Sequence, residues 1–382
     1  MSVLSESLCL HKTVKKHYLS LAKDAECLVT YVWIDKTGES VLSKTKTLNK
    51  EPAGIKDIPE WSAGWMIDGY SIEVTLVPVR MFRDPFTLDP NKLVLCEVFD
   101  SSYEPIGSNQ HSKCAQVMEE VKEFQPWFGM EQEYTLFGLD GNPLGWPPQG
   151  YPFTRGMFFI VLFSGSCAVG INKVYGRDIS ICHYKACLYA GVKICGTNAE
   201  SLPSQWEFQV GPCEGIEMGD HLWMARYILH HVCEDFGVVA SLDAKPIKDQ
   251  NGTSGCHTNF STKKMRSEGG LQFIKEAIRR LGKRHFQHLR VYDPHGGADN
   301  MSRLTSSQGS TSSFNDFSTA TACRNVSVRI PGHVSQNGRG YFEDRRPAAN
   351  CDPYMVTRAL VETCLLGSTG EDDDDDEKIM AP

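Results

Sequence analysis

Trp127-Phe128-Gly129-Met130-Glu131-Gln132-Glu133-Tyr134-Thr135-Leu136-Phe137 carries the pattern on which the fold turns. Residues 129–137 are aromatic and β-prone around two carboxylates, and side chains two apart on a strand share a face, so Glu131 and Glu133 point the same way. Such a pair needs solvent or a shared cation. The same alternation returns in Gln205-Trp206-Glu207-Phe208-Gln209, with Glu200 just upstream, and again in His257-Thr258-Asn259-Phe260-Ser261. Near the C-terminus Tyr341-Phe342-Glu343-Asp344-Arg345-Arg346 sets Glu343 and Arg345 on one face. Taken singly, each reads as an exposed strand or a satisfied histidine. Together they offer five carboxylates and one imidazole, a hard-ligand set suited to Mg²⁺ or Mn²⁺, with arginines able to neutralise phosphates. That inventory fits phosphoryl transfer, in which positioning and charge stabilisation do most of the work. Arg324 and Arg329 bracket a short strand at an odd separation, so a bulge or a strand end is needed for both to serve one site.

Outward from these segments the character differs on the two sides. Residues 27–35 and 40–48 flank Lys36-Thr37-Gly38 as a hairpin, and residues 70–79 and 93–99 are further strand-like runs, which makes the first hundred residues a small β unit. After Ser108, apolar stripes at helical spacing appear: Cys114 to Phe124, Leu222 to Phe236 and Leu271 to Leu281, the last two stopping at Gly237 and Gly282. Asp352 as N-cap and Pro353 at the first helical position open a final helix that Gly367 closes. The fold class is therefore α+β, with a sheet that has one polar face. Residues 305–313 read as a mobile loop, and residues 371–382 as an acidic disordered tail.

With 382 residues there is chain enough for two cores without covalent staples. The formal charge of -8 is concentrated in that tail, where seven acidic residues stand against Lys378, so the body is close to neutral and offers no basic face for nucleic acid. Fourteen cysteines without a Cys-x-x-Cys pair read as reduced thiols. The N-terminus lacks a secretory apolar core, and the most apolar run, residues 157–169, is too short for the ~20 residues of a membrane span. A cytoplasmic protein with a buried strand over that run is expected.

The order and wording of the motifs resemble the animal branch of the glutamine synthetases. The resemblance rests on Phe82-Arg83-Asp84-Pro85-Phe86, residues 126–134, Tyr175-Gly176-Arg177-Asp178, residues 196–200, 205–221 and 255–262, Asp299-Asn300 and residues 340–353, and it runs from about residue 31 to residue 369. It implies a β-grasp domain over residues 22–104, a catalytic domain with a curved antiparallel sheet flanked by helices over 110–370, and a ring oligomer, a decamer of two pentamers with sites between neighbours. It implies ATP-dependent ligation of ammonia to glutamate with two to three Mg²⁺ or Mn²⁺ ions per site. Position by position, Glu133, Glu200 and Glu207 match ligands of the metal on the glutamate side, and Glu131, His257 and Glu343 those of the metal facing ATP. Trp127, Asn259, Ser261 and Tyr341, with Glu131 and Glu207, match the nucleotide site, and Arg324, Arg329 and Arg345 the phosphate and substrate arginines. Asn251, Gly252, His257 and Arg303, with Arg324 and Arg345, match the glutamate site.

Four stretches depart from that family pattern. Residues 62–71 replace a loop that reaches the neighbouring subunit, leaving Asp68 as its one catalytic stand-in, and the turn at residues 251–257 is one residue longer. Phe158-Phe159-Ile160-Val161-Leu162-Phe163 replaces a glycine-containing segment of the nucleotide pocket. Residues 304–315 contain no acidic residue where the family places a glutamate; Gly309 or Ser310 stands there. Three readings stay open: a working ligase, an impaired paralogue serving as a structural or regulatory subunit, and a ligase for another amine or acid.

Overall fold

The computed structural model describes residues 12–21, 25–67, 69–108, 110–147, 166–171, 173–247, 252–306 and 311–367. The readings placed on Asp68, on residues 158–163, on Asn251, on Gly309 and Ser310 and on the acidic tail lie outside them. The chain divides into two compact units, residues 1–109, 133–210 and 220–242 in the first and 110–132, 211–219 and 243–382 in the second.

The first unit contains a five-stranded sheet in the order β2-β1-β5-β4-β3, from β1 (Cys27–Ile34), β2 (Val41–Leu48), β3 (Trp61–Ile67), β4 (Tyr70–Arg83) and β5 (Lys92–Phe99). β1 and β5 are parallel and the other pairs antiparallel. One face of this sheet buries Val29, Tyr31, Trp33, Trp65, Val74, Leu76, Val94, Cys96 and Val98. Residues 62–67 and 70–71, which stand where the family resemblance places a loop, belong to β3 and β4, with Trp65 opposite Ile72 and Ile67 opposite Tyr70. Alternation explains it: Trp65 falls into the core while Met66 and Tyr70 face out.

β6 (Trp127–Phe137) begins in the second unit and continues into the first, where it ends against β9 (Val239–Ser241). The first unit also holds the helix Arg177–Ala190 and the antiparallel pair of β7 (Ile194–Ala199) with β8 (Gln205–Glu214), whose last four residues belong to the second unit. In the second unit the sheet order is β11-β12-β13-β10-β6, with β10 (Cys256–Ser261), β11 (Thr319–Thr321), β12 (Val328–Ile330) and β13 (Phe342–Asp344). Only the β11–β12 pair is parallel among these.

The helix Leu271–Lys283 runs through Gly282 rather than stopping at it. That glycine serves packing, since a Cβ there would lie 3.1 Å from Phe317. The helix Pro353–Val361 starts as expected, with Asp352 Oδ1 accepting from the Tyr354 amide at 2.9 Å, and the chain ends its last helical turn in a left-handed Gly367. Asp352→Ala is expected to cost about 1 kcal/mol, a fall of roughly 2 °C in the thermal midpoint, which calorimetry on both chains would detect. Among the described residues, no helix is long and apolar enough to cross a membrane.

Candidate active site

Strand pairing assembles the polar face. His257 lies opposite Glu131 of β6, Asn259 opposite Glu343 of β13, and Glu343 opposite Arg329 of β12. Residues directly opposite in an antiparallel pair share a face, so Glu131, His257, Asn259, Glu343 and Arg329 look the same way. The intervening residues supply the other face. There Phe128, Phe260 and Phe342 pack in a row across the three strands, with ring centroids 5.2 and 5.6 Å apart. Their burial sets the register, because a slip by one residue would take the rings out of the core and carry Glu131, His257 and Glu343 off their shared face.

His257 Nδ1 stands 3.7 Å from Glu131 Oε2 and 3.7 Å from Glu343 Oε1. Those gaps are too long for hydrogen bonds. Donor atoms of the three lie within 4.8 Å of one another, and a cation held by ~2.1 Å bonds brings neighbouring ligands to roughly 3 Å, so a small contraction would close the set. Burial holds the His257 proton affinity well below the usual range, Arg345, Arg303 and Arg329 push the same way and Glu343 opposes them. The ring is neutral at pH 7 and keeps a lone pair for a metal. Asn259 Nδ2 donates to Glu131 Oε1 at 2.8 Å and orients it.

Glu343 is fully buried and doubly compensated. Arg345 Nη1 donates to Oε1 at 2.7 Å and Arg329 Nε donates to Oε2. Arg303, also buried, donates through Nη2 to the carbonyl oxygens of Arg345, Arg346 and Pro347 at 3.0, 2.6 and 3.2 Å. A Cβ on Gly255 would lie 3.0 Å from His257 Nε2 and 3.1 Å from Arg303 Nη1, so those two side-chain ends flank the turn before β10. Gly255→Ala is therefore expected to displace both by a few tenths of an ångström. Because a misplacement of ~1 Å can cost ~10²-fold, a loss of about tenfold in kcat is the expected reading in a steady-state assay.

In the first unit Asn198, paired with Glu207 across β7 and β8, donates to Glu200 Oε1 at 2.9 Å and accepts from Gln209 Nε2 at 2.8 Å, while Gln209 also donates to Glu207. Glu133 and Glu207 are buried there, and Glu133 follows Glu131 by two residues along β6. Arg324 stands apart: it is exposed in the connection between β11 and β12, off any strand, so the question of which strand face it shares with Arg329 does not arise.

Trp127 donates from Nε1 to Glu214 Oε2 at 2.9 Å, and the Arg266 guanidinium lies 3.9 Å from its ring centroid. Arg266 Nη1 donates to Ser261 Oγ at 3.2 Å, and Ser261 Oγ to the Gly340 carbonyl at 2.9 Å. A cavity of about 700 Å³ opens beside them, lined by Arg266, Glu268, Asn337, Arg339 and Gly340. Tyr341 is half-buried, and burial with the nearby Glu131 carboxylate raises its phenol pKa. Sequence reading missed Arg266, Asn337 and Arg339; Arg266 lies five residues beyond Ser261 with no strand pattern to mark it.

Carboxylates, a neutral imidazole and buried guanidiniums on one sheet face are the equipment of the metal-dependent phosphoryl-transfer proteins. A family model described as "Glutamine synthetase, catalytic domain" matches residues 112–271. The chain is 57% identical over 379 residues to "Glutamine synthetase" of Xenopus laevis, covering 98% of this chain and 94% of that one. It is 54% identical over 372 residues to "Glutamine synthetase" of Homo sapiens, covering 96% and 98%. The solved structure "Apo GmaS without ligand" superposes with a TM-score of 0.63 over 89% of this chain and 77% of that one, at 17% identity, a likeness of fold. The chain belongs to the glutamine synthetase family.

Proposed function

We propose that the chain is a glutamate–ammonia ligase that joins ammonia to the γ-carboxylate of L-glutamate at the expense of ATP. The observation that carries this reading is the Glu131, His257 and Glu343 group, with Arg329 and Arg345 bonded to Glu343. The γ-carboxylate takes the terminal phosphoryl group of ATP, giving γ-glutamyl phosphate and ADP; ammonia then displaces phosphate, loses a proton and leaves glutamine. Divalent ions, Mg²⁺ or Mn²⁺ at two to three per site, neutralise and orient the phosphates when bound.

Glu131, His257 and Glu343 would hold one ion, and Glu133, Glu200 and Glu207 another. In the first group both guanidiniums bond one carboxylate, Glu343, and their two charges already offset those of Glu343 and Glu131, so an added cation is balanced only when polyphosphate arrives with it. This group is accordingly assigned to the ion that enters with ATP. Arg329 and Arg345 are assigned to the charge on the transferring phosphoryl group. Arg303, fixed through Nη2 and with its Nη1 beside Gly255 as His257 Nε2 is, is assigned to the substrate carboxylate. Trp127, Asn259, Ser261 and Tyr341 are assigned to the nucleotide, and Asp68, Asn251, Gly252 and Arg324 keep the catalytic and substrate roles that the family resemblance gives them.

The same reading takes residues 22–104 as a β-grasp domain and 110–370 as the catalytic domain, in a cytoplasmic decamer of two pentameric rings. Light scattering that shows only monomer at micromolar concentration would rule the ring out. A second reading, a subunit impaired in catalysis, is favoured by the absence of any acidic residue from residues 304–315.

Metal binding is tested directly by the thermal midpoint, since an ion that binds only the native chain raises it by mass action. Mn²⁺ is expected to raise it, and Glu133→Ala combined with Glu207→Ala to remove most of the rise. An undiminished shift in the double variant would take those two residues out of the site.

A further inference from the structure

Behind the segment that carries Glu343 and Arg345 lies a directed chain of buried hydrogen bonds that the proposed chemistry does not use. Asp344 and Arg346 alternate with the site residues, point into the core and form a fully buried pair, with Arg346 Nε and Nη2 donating to the two Asp344 oxygens at 2.9 and 2.7 Å. Tyr292 donates its hydroxyl to Asp344 Oδ2 at 2.8 Å, so it accepts from His288 Nδ1 at 2.6 Å. On the other side, Arg346 Nη1 lies 3.2 Å from His285 Nδ1, and His285 Nε2 lies 2.8 Å from the Phe314 carbonyl oxygen. A guanidinium can only donate, so Nδ1 of His285 must present its lone pair and Nε2 must carry the proton given to Phe314. Burial and the Arg346 charge both depress the proton affinity of His285, with the Phe314 carbonyl, Asp344 and Asp316 opposing, which keeps the ring in that neutral form.

Phe314 closes a stem. Its amide donates to the Leu304 carbonyl at 2.9 Å, Thr305 bridges Ser313, and Leu304 and Phe314 pack on Leu289 and Phe286. Arg303 immediately precedes that stem and is itself tied to the carbonyl oxygens of Arg345, Arg346 and Pro347. We propose that His285 is a positioning residue that locks the stem formed by residues 304–306 and 311–314 to Arg346 and so holds Arg303 against the segment that follows β13. The assignment of Arg303 to the substrate carboxylate rests on the ligase reading above; the lock itself rests on the hydrogen bonds alone.

His285→Asn separates the two bonds of the ring. Asparagine can still accept from Arg346 and avoids leaving a buried guanidinium unmatched, but it is too short to reach Phe314, whereas His285→Gln can reach both. In full-length protein with Mn²⁺, hydrogen–deuterium exchange at the Phe314 amide and calorimetric affinities for glutamate and for a non-hydrolysable ATP analogue are measured for all three chains. The Asn variant is expected to exchange at Phe314 at least tenfold faster and to bind glutamate at least tenfold more weakly. Affinity for the nucleotide analogue stays within twofold, and the Gln variant recovers most of both losses. Unchanged exchange at Phe314 in the Asn variant overturns the lock. Faster exchange with glutamate and nucleotide affinities that are both unmoved, or that fall together, reduces His285 to a structural residue and overturns the positioning role. A wild-type chain that binds both ligands yet makes no glutamine defeats the ligase reading alone.

Discussion

Glu343→Gln is expected to lower ATP- and glutamate-dependent turnover by about 10³-fold, with the chain still folded. The glutamine amide keeps the shape but leaves Arg329 and Arg345 without their shared carboxylate, whose own position is fully buried. Breaking a buried ion pair from one side costs ~3–5 kcal/mol, and the same substitution removes one of the three groups proposed to hold the nucleotide-side ion. ADP release and glutamine formation should fall together, and the midpoint shift given by Mn²⁺ with an ATP analogue should shrink. Turnover within tenfold of wild type would show that Glu343 is a scaffold for the arginines and no part of the metal site.

The second large effect is a gain. Among residues 304–315 the family resemblance expects a carboxylate to take the proton from incoming ammonium, and Gly309 supplies none. A positioned general base contributes about 10² to 10⁴ in rate. Gly309→Glu, or Ser310→Glu in the alternative register, is therefore expected to raise glutamine formation by roughly 10²-fold or more while ATP hydrolysis without ammonia changes little. A native chain that already turns over at the ~1 to 10³ per second ordinary for enzymes would show that another residue serves as the base. If neither substitution raises the rate of a slow chain, the fault moves to the β3–β4 hairpin that stands where the family has its inter-subunit loop, or to the lengthened turn before His257.

Much of this site was legible because strand alternation is local. Glu131, His257, Asn259 and Glu343 declare their shared faces within five-residue windows, and the phenylalanines between them declare the opposite face. What brings His257 opposite Glu131, and Glu343 opposite Asn259, is pairing between segments far apart in the chain, which no local pattern encodes. Arg303 could be matched by family position, but its three carbonyl contacts depend on the chain turning back after β13. Asp344 and Arg346 carry no local signal beyond that of a strand's other face, although their burial organises the histidines behind it. Around Trp65 the family comparison points to an altered loop, whereas the local alternation that buries Trp65 is that of a strand. Gly282 has the sequence signature of a helix stop, whereas in the fold it marks a close approach by Phe317.

The central claim is metal-dependent amide ligation, and it is tested most directly by incubating the purified chain with ATP, glutamate and ammonia and quantifying ADP and glutamine with and without Mg²⁺ or Mn²⁺. ADP and glutamine appearing in equal amounts, only when a divalent ion and all three substrates are present, is the predicted result. Undetectable glutamine over many hours in a chain whose midpoint Mn²⁺ raises, or glutamine formed equally well without a divalent ion, would contradict it.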